Sequence, residues 1–396
     1  MTEAPGTLAD AEPAPRLDLD EHRLGEHDQG LPGPLFLFTG GLHGNEPGGV
    51  QALRELLAAL GQSAGPFHGR LVCLAGNLEA LRQGRRFLDA DLNRVWAGRL
   101  TGPRTGAGEP GHEAQARDRL AAELEAELAA ARGPVVLLDL HSTSGQGAPF
   151  SIIGDTLQNR RIALALPVPV ILGLEENVEG SLLGELGELG HVAIGFEGGQ
   201  HTAPDTSRNL LAAAWLALES AGAFGDSSPP AVGEARSRLA KAGAGLPAIV
   251  ETRYRHHVEV REEFEMLAGF DNFDPVERGA LLAHHGGSEV RAHEPGRVLL
   301  PLYQGQGQDG FFLARDVRPF WLGVSAWLRA LGAPRLLPLL PGVRRVAGVR
   351  GCLEVDRRLA RWWVLEVFHL CGFRRREEDG PRLRFSRRVE GPAPGA

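Results

Sequence analysis

Through the first half of the chain, short apolar runs alternate with longer stretches of helical period. PLFLF (34–38) and RLVCLAG (70–76) are compact apolar runs leading into glycine, as buried parallel strands do, and VQALRELLAAL (50–60) between them has helical spacing and length. HEAQARDRLAAELEAELAAAR (112–132) reads as a long helix, and PVVLLDL (134–140), FSIIG (150–154), VPVILGL (168–174) and HVAIGFE (191–197) as further strands. DTSRNLLAAAWLALESAG (205–222) closes the series as a helix with Asp205 at its N-cap. Strands alternating with helices predict an α/β fold with a mixed, mostly parallel central sheet flanked by helices.

The pattern changes at GDSSPPAVGEA (225–235), whose Ser, Pro and Gly mark a boundary. Between 246 and 315 the runs are short, glycine-punctuated and β-like, which predicts a small all-β domain. From 316 to 396 FWLGVSAWLRAL and RRLARWWVLEVFHLCGF carry aromatics at helical spacing and predict a helical C-terminal extension. Residues 1–30, acidic and proline-bearing, read as a disordered leader, and 31–224 as the main α/β domain.

Composition narrows the class. A chain of 396 residues, 43% hydrophobic and 23% charged, can bury a sizeable core. The formal charge of −8 argues against a nucleic-acid or anionic-membrane binder. No secretory signal and no apolar run of about 20 residues is visible. Cys73, Cys352 and Cys371 are odd in number and scattered, which fits a reducing cytoplasm. A homo-oligomer is left open.

Candidate chemistry lies at strand ends. TGGLHGNEPGG (39–49) places His43 and Glu46 three apart just past PLFLF, in a segment too glycine-rich for a helix interior, and His141 follows PVVLLDL directly. In open α/β sheets ligands bind outside the carboxyl ends of strands. A lone histidine there is more commonly a hydrogen-bonded structural residue; two strand ends each presenting a ligand-type side chain favour a metal set of two imidazoles and a carboxylate, His43, Glu46 and His141, with a fourth position open. In GRRFLDADLNR (84–94) the fork of Arg94 with the amide of Asn93 matches a substrate carboxylate, although a bare arginine pair alone would read as a solvated face. Glu197, ending a buried strand, is either a partnered structural acid or a general base.

LHGNEPGG (42–49), RRFLDADLNRVWAGR (85–99), LLDLHST (137–143) and IGFEGG (194–199) resemble, in order and approximate spacing, the motifs of the succinylglutamate desuccinylase/aspartoacylase family, whose fold is similar to zinc carboxypeptidases. The likeness extends over roughly residues 34–315. It implies one Zn2+ per chain on His43, Glu46 and His141, catalytic roles for Glu197 as proton shuttle and Arg86 as carbonyl polariser, and substrate contacts from Asn93, Arg94 and Tyr303. The implied reaction is deacylation of an N-acyl amino acid or similar small carboxylate. Alternatives are a carboxypeptidase-like or amide-trimming peptidase on the same site and a non-catalytic metal-binding protein.

Three features depart from the family pattern or extend it. The family's arginine about ten residues before the catalytic glutamate is missing from GELGELGH (184–191), leaving Arg253, Arg255, His256 and His257 as replacements by chemistry alone. The segment FDPVERGALLAHHGGSEVRAHEPGRVLLPL is similar to biotinyl-carrier barrels without their modified lysine, which suggests a lid or wall. The arginines at 374–376 and 387–388 are expected to form a solvated terminus.

Overall fold

The computed structural model describes residues 17, 19–101, 111–259, 261–346, 351–356, 364–379 and 382–388. Residues 1–16 of the expected leader and 357–363 of the expected last helix lie outside them. The chain begins with strands β1 (Arg23–Asp28) and β2 (Leu31–Gly40), helix α1 (Gly48–Gly61), β3 (His68–Ala75) and α2 (Leu78–Gln83). Helix α3 (His112–Ala130) leads to β4 (Val135–Thr143), β5 (Phe150–Ile153), α4 (Leu157–Ala163) and β6 (Val170–Leu172). Then come α5 (Leu182–Glu188), β7 (Val192–Gln200), α6 (Thr206–Ser220) and α7 (Pro230–Ala242).

Period-2 side-chain alternation puts apolar residues on both faces of the central strands. Phe36, Phe38, Val136, Leu138 and Leu140 face α1, α6 and α7, joining Leu53, Leu56, Leu210, Leu216 and Leu239 in one core. Leu35, Leu37, Val135 and Leu137 face the other way, onto Leu120 and Leu124 of α3, Leu182 and Leu186 of α5 and the fully buried Trp96. β3, β2, β4 and β7 are neighbours in that order and pair in parallel, so their carboxyl ends open on one edge.

After α7 come β8 (Ile249–His257), β9 (Phe264–Met266), β10 (Pro275–Val276), β11 (Leu281–His285), β12 (Ser288–Arg291), β13 (Gly296–Leu299) and β14 (Asp309–Asp316). β9, β11 and β12 make a separate three-stranded sheet over an apolar cluster that includes Phe264, Leu282 and Phe311. β8 pairs in parallel with β6, and β14, β13 and β10 follow it outward, so the central sheet continues to eleven strands.

Several expectations need correction. Residues 23–28 of the expected leader form β1, antiparallel to β3, with Leu24 packed against the core and the ring of His27 edge-on to Phe67. The Ser/Pro/Gly boundary is short, because Pro230 opens α7, where its missing N–H costs nothing. Asp205 stands at the N-cap of α6 without a side-chain cap hydrogen bond; its carboxylate turns to Arg238 at 3.1 Å. The extension beyond 316 is not wholly helical. After α8 (Pro319–Ala330), strands β15 (Val343–Arg345), β16 (Cys352–Asp356), β17 (Arg375–Asp379) and β18 (Arg382–Ser386) make a four-stranded antiparallel sheet, with α9 (Val364–Leu370) between β16 and β17. The alternation Leu353/Val355 and Leu383/Phe385 buries one face against Phe368 of α9.

Nor are Arg374 and Arg388 part of a solvated fringe; the side chains of Arg375 and Arg376 lie outside those described. Arg374 reaches Asp155 and Glu251, and Arg329 donates to Asp155 at 3.0 Å. Arg388 holds Glu175 through Oε2 at 2.9 Å and a second, closer contact. Buried carboxylates on the α/β unit require such partners, which draws these arginines inward.

Candidate active site

The carboxyl edge of β2, β4 and β7 carries the candidate residues. β2 ends at Gly40, and the turn that follows holds His43 and Glu46 before α1 starts at Gly48. Gly44 lets this turn lie on the end of α2: a Cβ there would sit 2.0 Å from the Ala80 carbonyl carbon and 2.4 Å from the Arg85 oxygen. His141 and Glu197 are register partners on the parallel pair β4 and β7, near the ends of both strands.

His43, Glu46 and His141 are buried, and one ligand atom from each lies within 4.8 Å of the others, so the three could hold a metal ion. The two Nδ1 atoms face the same carboxylate, His43 at 2.8 Å from Glu46 Oε1 and His141 at 3.0 Å from Oε2. Their Nε2 atoms meet other carboxylates, Asp91 at 3.0 Å for His43 and Asp139 at 2.8 Å for His141. An Nε2–H donating to a carboxylate leaves Nδ1 as a lone-pair donor, the protonation a metal ligand needs. Asp139 is itself fixed by the Thr39 hydroxyl at 2.7 Å. Burial opposes charge on Glu46 and Asp91, yet both carboxyls stay well below the usual carboxylate range, Glu46 through His43 and His141, Asp91 through His43 and Arg86.

Arg86 bridges this group, 3.4 Å from Glu46 Oε1 and 3.1 Å from Asp91 Oδ2, and its buried Nε has no hydrogen-bond partner. Glu197 Oε2 is buried and likewise unpartnered, and burial pushes the carboxyl up to about 7. Arg86, Glu197, His43, Glu46 and His141 line one cavity of about 130 Å³.

Asn93 and Arg94, on the 3-10 turn Leu92–Arg94, line the same cavity. Asn93 Oδ1 accepts from the Leu182 N–H at 3.0 Å, and Arg94 pairs with Asp309 at 2.8 Å while its Nε has no hydrogen-bond partner. Tyr303 is not brought into this group. Its hydroxyl donates to Leu267 O at 2.8 Å and accepts from Phe270 N–H at 3.1 Å, which turns the ring away. The neighbouring Gln304 lines the cavity, its Oε1 accepting from Asn45 Nδ2 at 2.8 Å.

The suggested replacements for the missing arginine also lie elsewhere: Arg255 pairs with Asp309 and Asn177 O, His256 stacks on Phe311 with 5.1 Å between ring centroids, and Arg253 Nε is 3.7 Å from Glu294. Two contributors escaped the sequence reading. Asp91 was visible as part of a motif but not as the partner of His43, and Gln304 is distant in sequence from every motif.

A family model for the succinylglutamate desuccinylase/aspartoacylase catalytic domain matches residues 32–214. Among relatives, a succinylglutamate desuccinylase of Burkholderia lata is 41% identical over 63 residues, 16% of this chain and 18% of its own length. One from Pseudomonas paraeruginosa is 34% identical over 98 residues, 25% of this chain and 28% of its own. The chain thus spans less than a third of the length of these relatives. Among solved structures, a succinylglutamate desuccinylase/aspartoacylase from Rhodobacter sphaeroides superposes with a TM-score of 0.54 at 17% identity, covering 72% of this chain and 87% of the other. The product-bound ectoine utilization protein EutE (DoeB) from Ruegeria pomeroyi gives 0.51 at 24%, covering 72% and 85%. Residues 32–214, which hold the motif-bearing strands and the His–Glu–His group, are thus similar to the catalytic domain of the succinylglutamate desuccinylase/aspartoacylase family.

Proposed function

We propose that the protein is a zinc-dependent deacylase that cleaves the amide bond of an N-acyl amino acid or similar small carboxylate. The observation that carries the reading is one cavity holding a metal-competent His43, Glu46 and His141 beside an unpartnered buried carboxylate oxygen of Glu197. Two imidazole nitrogens and a carboxylate suit zinc, and the second nitrogens, held by Asp91 and Asp139, fit ligands rather than free histidines. When bound, the ion supplies Lewis acidity to a water and to the scissile carbonyl.

The chain's own residues do the rest. Glu197 takes a proton from the attacking water, the water oxygen adds to the amide carbon, and the same carboxyl returns the proton to the amine nitrogen as the C–N bond breaks. Burial raises the proton affinity of Glu197, which suits it to receive and then release that proton. Arg86, whose Nε lacks a partner, stabilises the oxyanion, and Arg94 with Asn93 orients the substrate carboxylate. The segment from Leu300 to Phe312 walls the cavity, which favours a small substrate over a peptide chain. Cys73 and Cys371 are thiols, in keeping with a cytoplasmic location. Among the described residues no helix is long and apolar enough to cross a membrane.

The test is elemental analysis of purified protein joined to hydrolysis of N-acyl amino acids. About one zinc per chain, lost in His141→Ala, together with turnover, supports the reading; turnover that survives removal of all metal refutes it.

A further inference from the structure

The cavity lining combines two kinds of side chain. One kind is the metal-competent group with Arg86 and Arg94; the other is apolar, from Ile152 of β5, Leu174 and Val178 after β6, Leu183 of α5, Leu300 after β13 and Phe312 of β14. Leu174 and Phe312 are core residues, whereas Ile152, Val178 and Leu300 pack on that core while staying partly exposed. Partly exposed aliphatic side chains facing a cavity give it apolar surface that a ligand can remove from water.

The charges point the same way. Among the described residues lining the cavity, the cations are Arg86 and Arg94, against the carboxylates of Glu46, Glu175, Glu197 and Asp309. Arg86 already pairs with Glu46 and Asp91, and Arg94 with Asp309, which Arg255 also holds at 2.5 Å. Arg94 Nε remains for one carboxylate. A second substrate carboxylate would meet no further cation among the described lining residues, and burying a charge without a counter-ion is strongly unfavourable. The 184–191 segment, which supplies α5 and its C-terminal turn, contains no arginine to change this.

Resting on the deacylase reading, we infer that the preferred substrate is an N-acyl amino acid whose only carboxylate is its α-carboxylate and whose side chain or acyl group is apolar. Arg94 and Asn93 take the carboxylate, and the apolar group lies between Ile152, Val178 and Phe312. Specificity is thereby turned away from substrates with more than one carboxylate, such as the succinylglutamate that the names of the desuccinylase relatives denote.

The experiment measures kcat/KM of the zinc-loaded enzyme for N-acetylleucine, N-acetylmethionine and N-acetylphenylalanine against N-acetylaspartate and N-succinylglutamate. It also measures binding of the same five compounds to zinc-loaded Glu197→Gln by calorimetry. The apolar compounds should lead by about tenfold or more, the discrimination a pocket gains from apolar fit and loses on unpaired charge. Val178→Arg should narrow or reverse the order. If nothing is hydrolysed but the apolar compounds still bind more tightly, the deacylase reading fails and the inference about the pocket stands. Equal or better turnover or binding of the acidic compounds, or no binding of any of the five, overturns it.

Discussion

Arg388, just past the last described strand, grips both carboxylate oxygens of Glu175, a residue of the cavity wall 213 positions earlier in the chain. The guanidinium also donates to Gly184 O at 2.9 Å, so one side chain ties the segment after β6 to the start of α5. The wall that carries Leu174 and Val178 is therefore set in place by the C-terminal sheet.

Replacing Arg388 with alanine removes the guanidinium from both oxygens of the Glu175 carboxylate, which is 3% exposed. Removing one partner of a buried pair costs about 3–5 kcal/mol. Thermal unfolding should show that loss, and KM should rise more than kcat falls because the wall and not the metal group is disturbed. Arg388→Lys is expected to restore part of both, since lysine supplies the charge without the fork. An unchanged KM in a folded Arg388→Ala protein would count against the positioning role.

Glu197→Gln keeps the side-chain shape and removes the proton acceptor. Turnover should fall by about 10²–10⁴-fold, the usual worth of a general base. Zinc content should stay near that of the parent, because His43, Glu46 and His141 are untouched. Full activity in this variant would dismiss the assigned mechanism.

Asp139→Asn retains a contact for His141 but loses the charge that favours an Nε2 proton. Metal affinity, read by chelator competition, should weaken about 10–100-fold. Asp91→Asn should do the same through His43. Unaltered affinity in both would mean that the histidines are not held for a metal.

Acid stability should depend on Asp155. Burial opposes its ionisation, but Arg374, Arg329 and Arg160 outweigh that and hold the carboxyl well below the ordinary range. A carboxyl depressed in the folded state contributes fully above its unfolded value of about 4, and that contribution fades as pH falls below it. The difference in unfolding midpoint between the parent and Asp155→Asn should thus be constant from neutrality down to about pH 5 and shrink below about pH 4. A gap independent of pH would refute the assignment.

His43, Glu46, His141 and Glu197 were readable because each follows an apolar run that can only be a buried strand, and parallel pairing brings strand ends to one edge without further information. Other elements had no such local signal. RLGEHD becomes a strand because β3 offers it an edge, and VRR with CLEVD because RLRFS lies beside CLEVD in the fold. Tyr303 and Gln304 differ by one position, and only the register of a loop decides which of them reaches the cavity. The arginines of the extension looked solvated because their acidic partners, Asp155, Glu175 and Glu251, are scattered through the preceding 250 residues.

β6 and β8 are zipped together by backbone hydrogen bonds, and β14 joins β8 in turn with register shifts at Asp309/Phe311 and Leu313/Ala314, so one continuous sheet ladder runs past the cavity. A hinge between its two sides would have to rupture that ladder, a far larger rearrangement than a catalytic cycle affords. The irregular part of the lining is the segment from Leu300 to Gln308, whereas Glu175 is held by Arg388. On the deacylase reading the cavity is a rigid vessel with one pliable lip, and exchange rates should respond to changes in that lip while the bowl beneath keeps its shape.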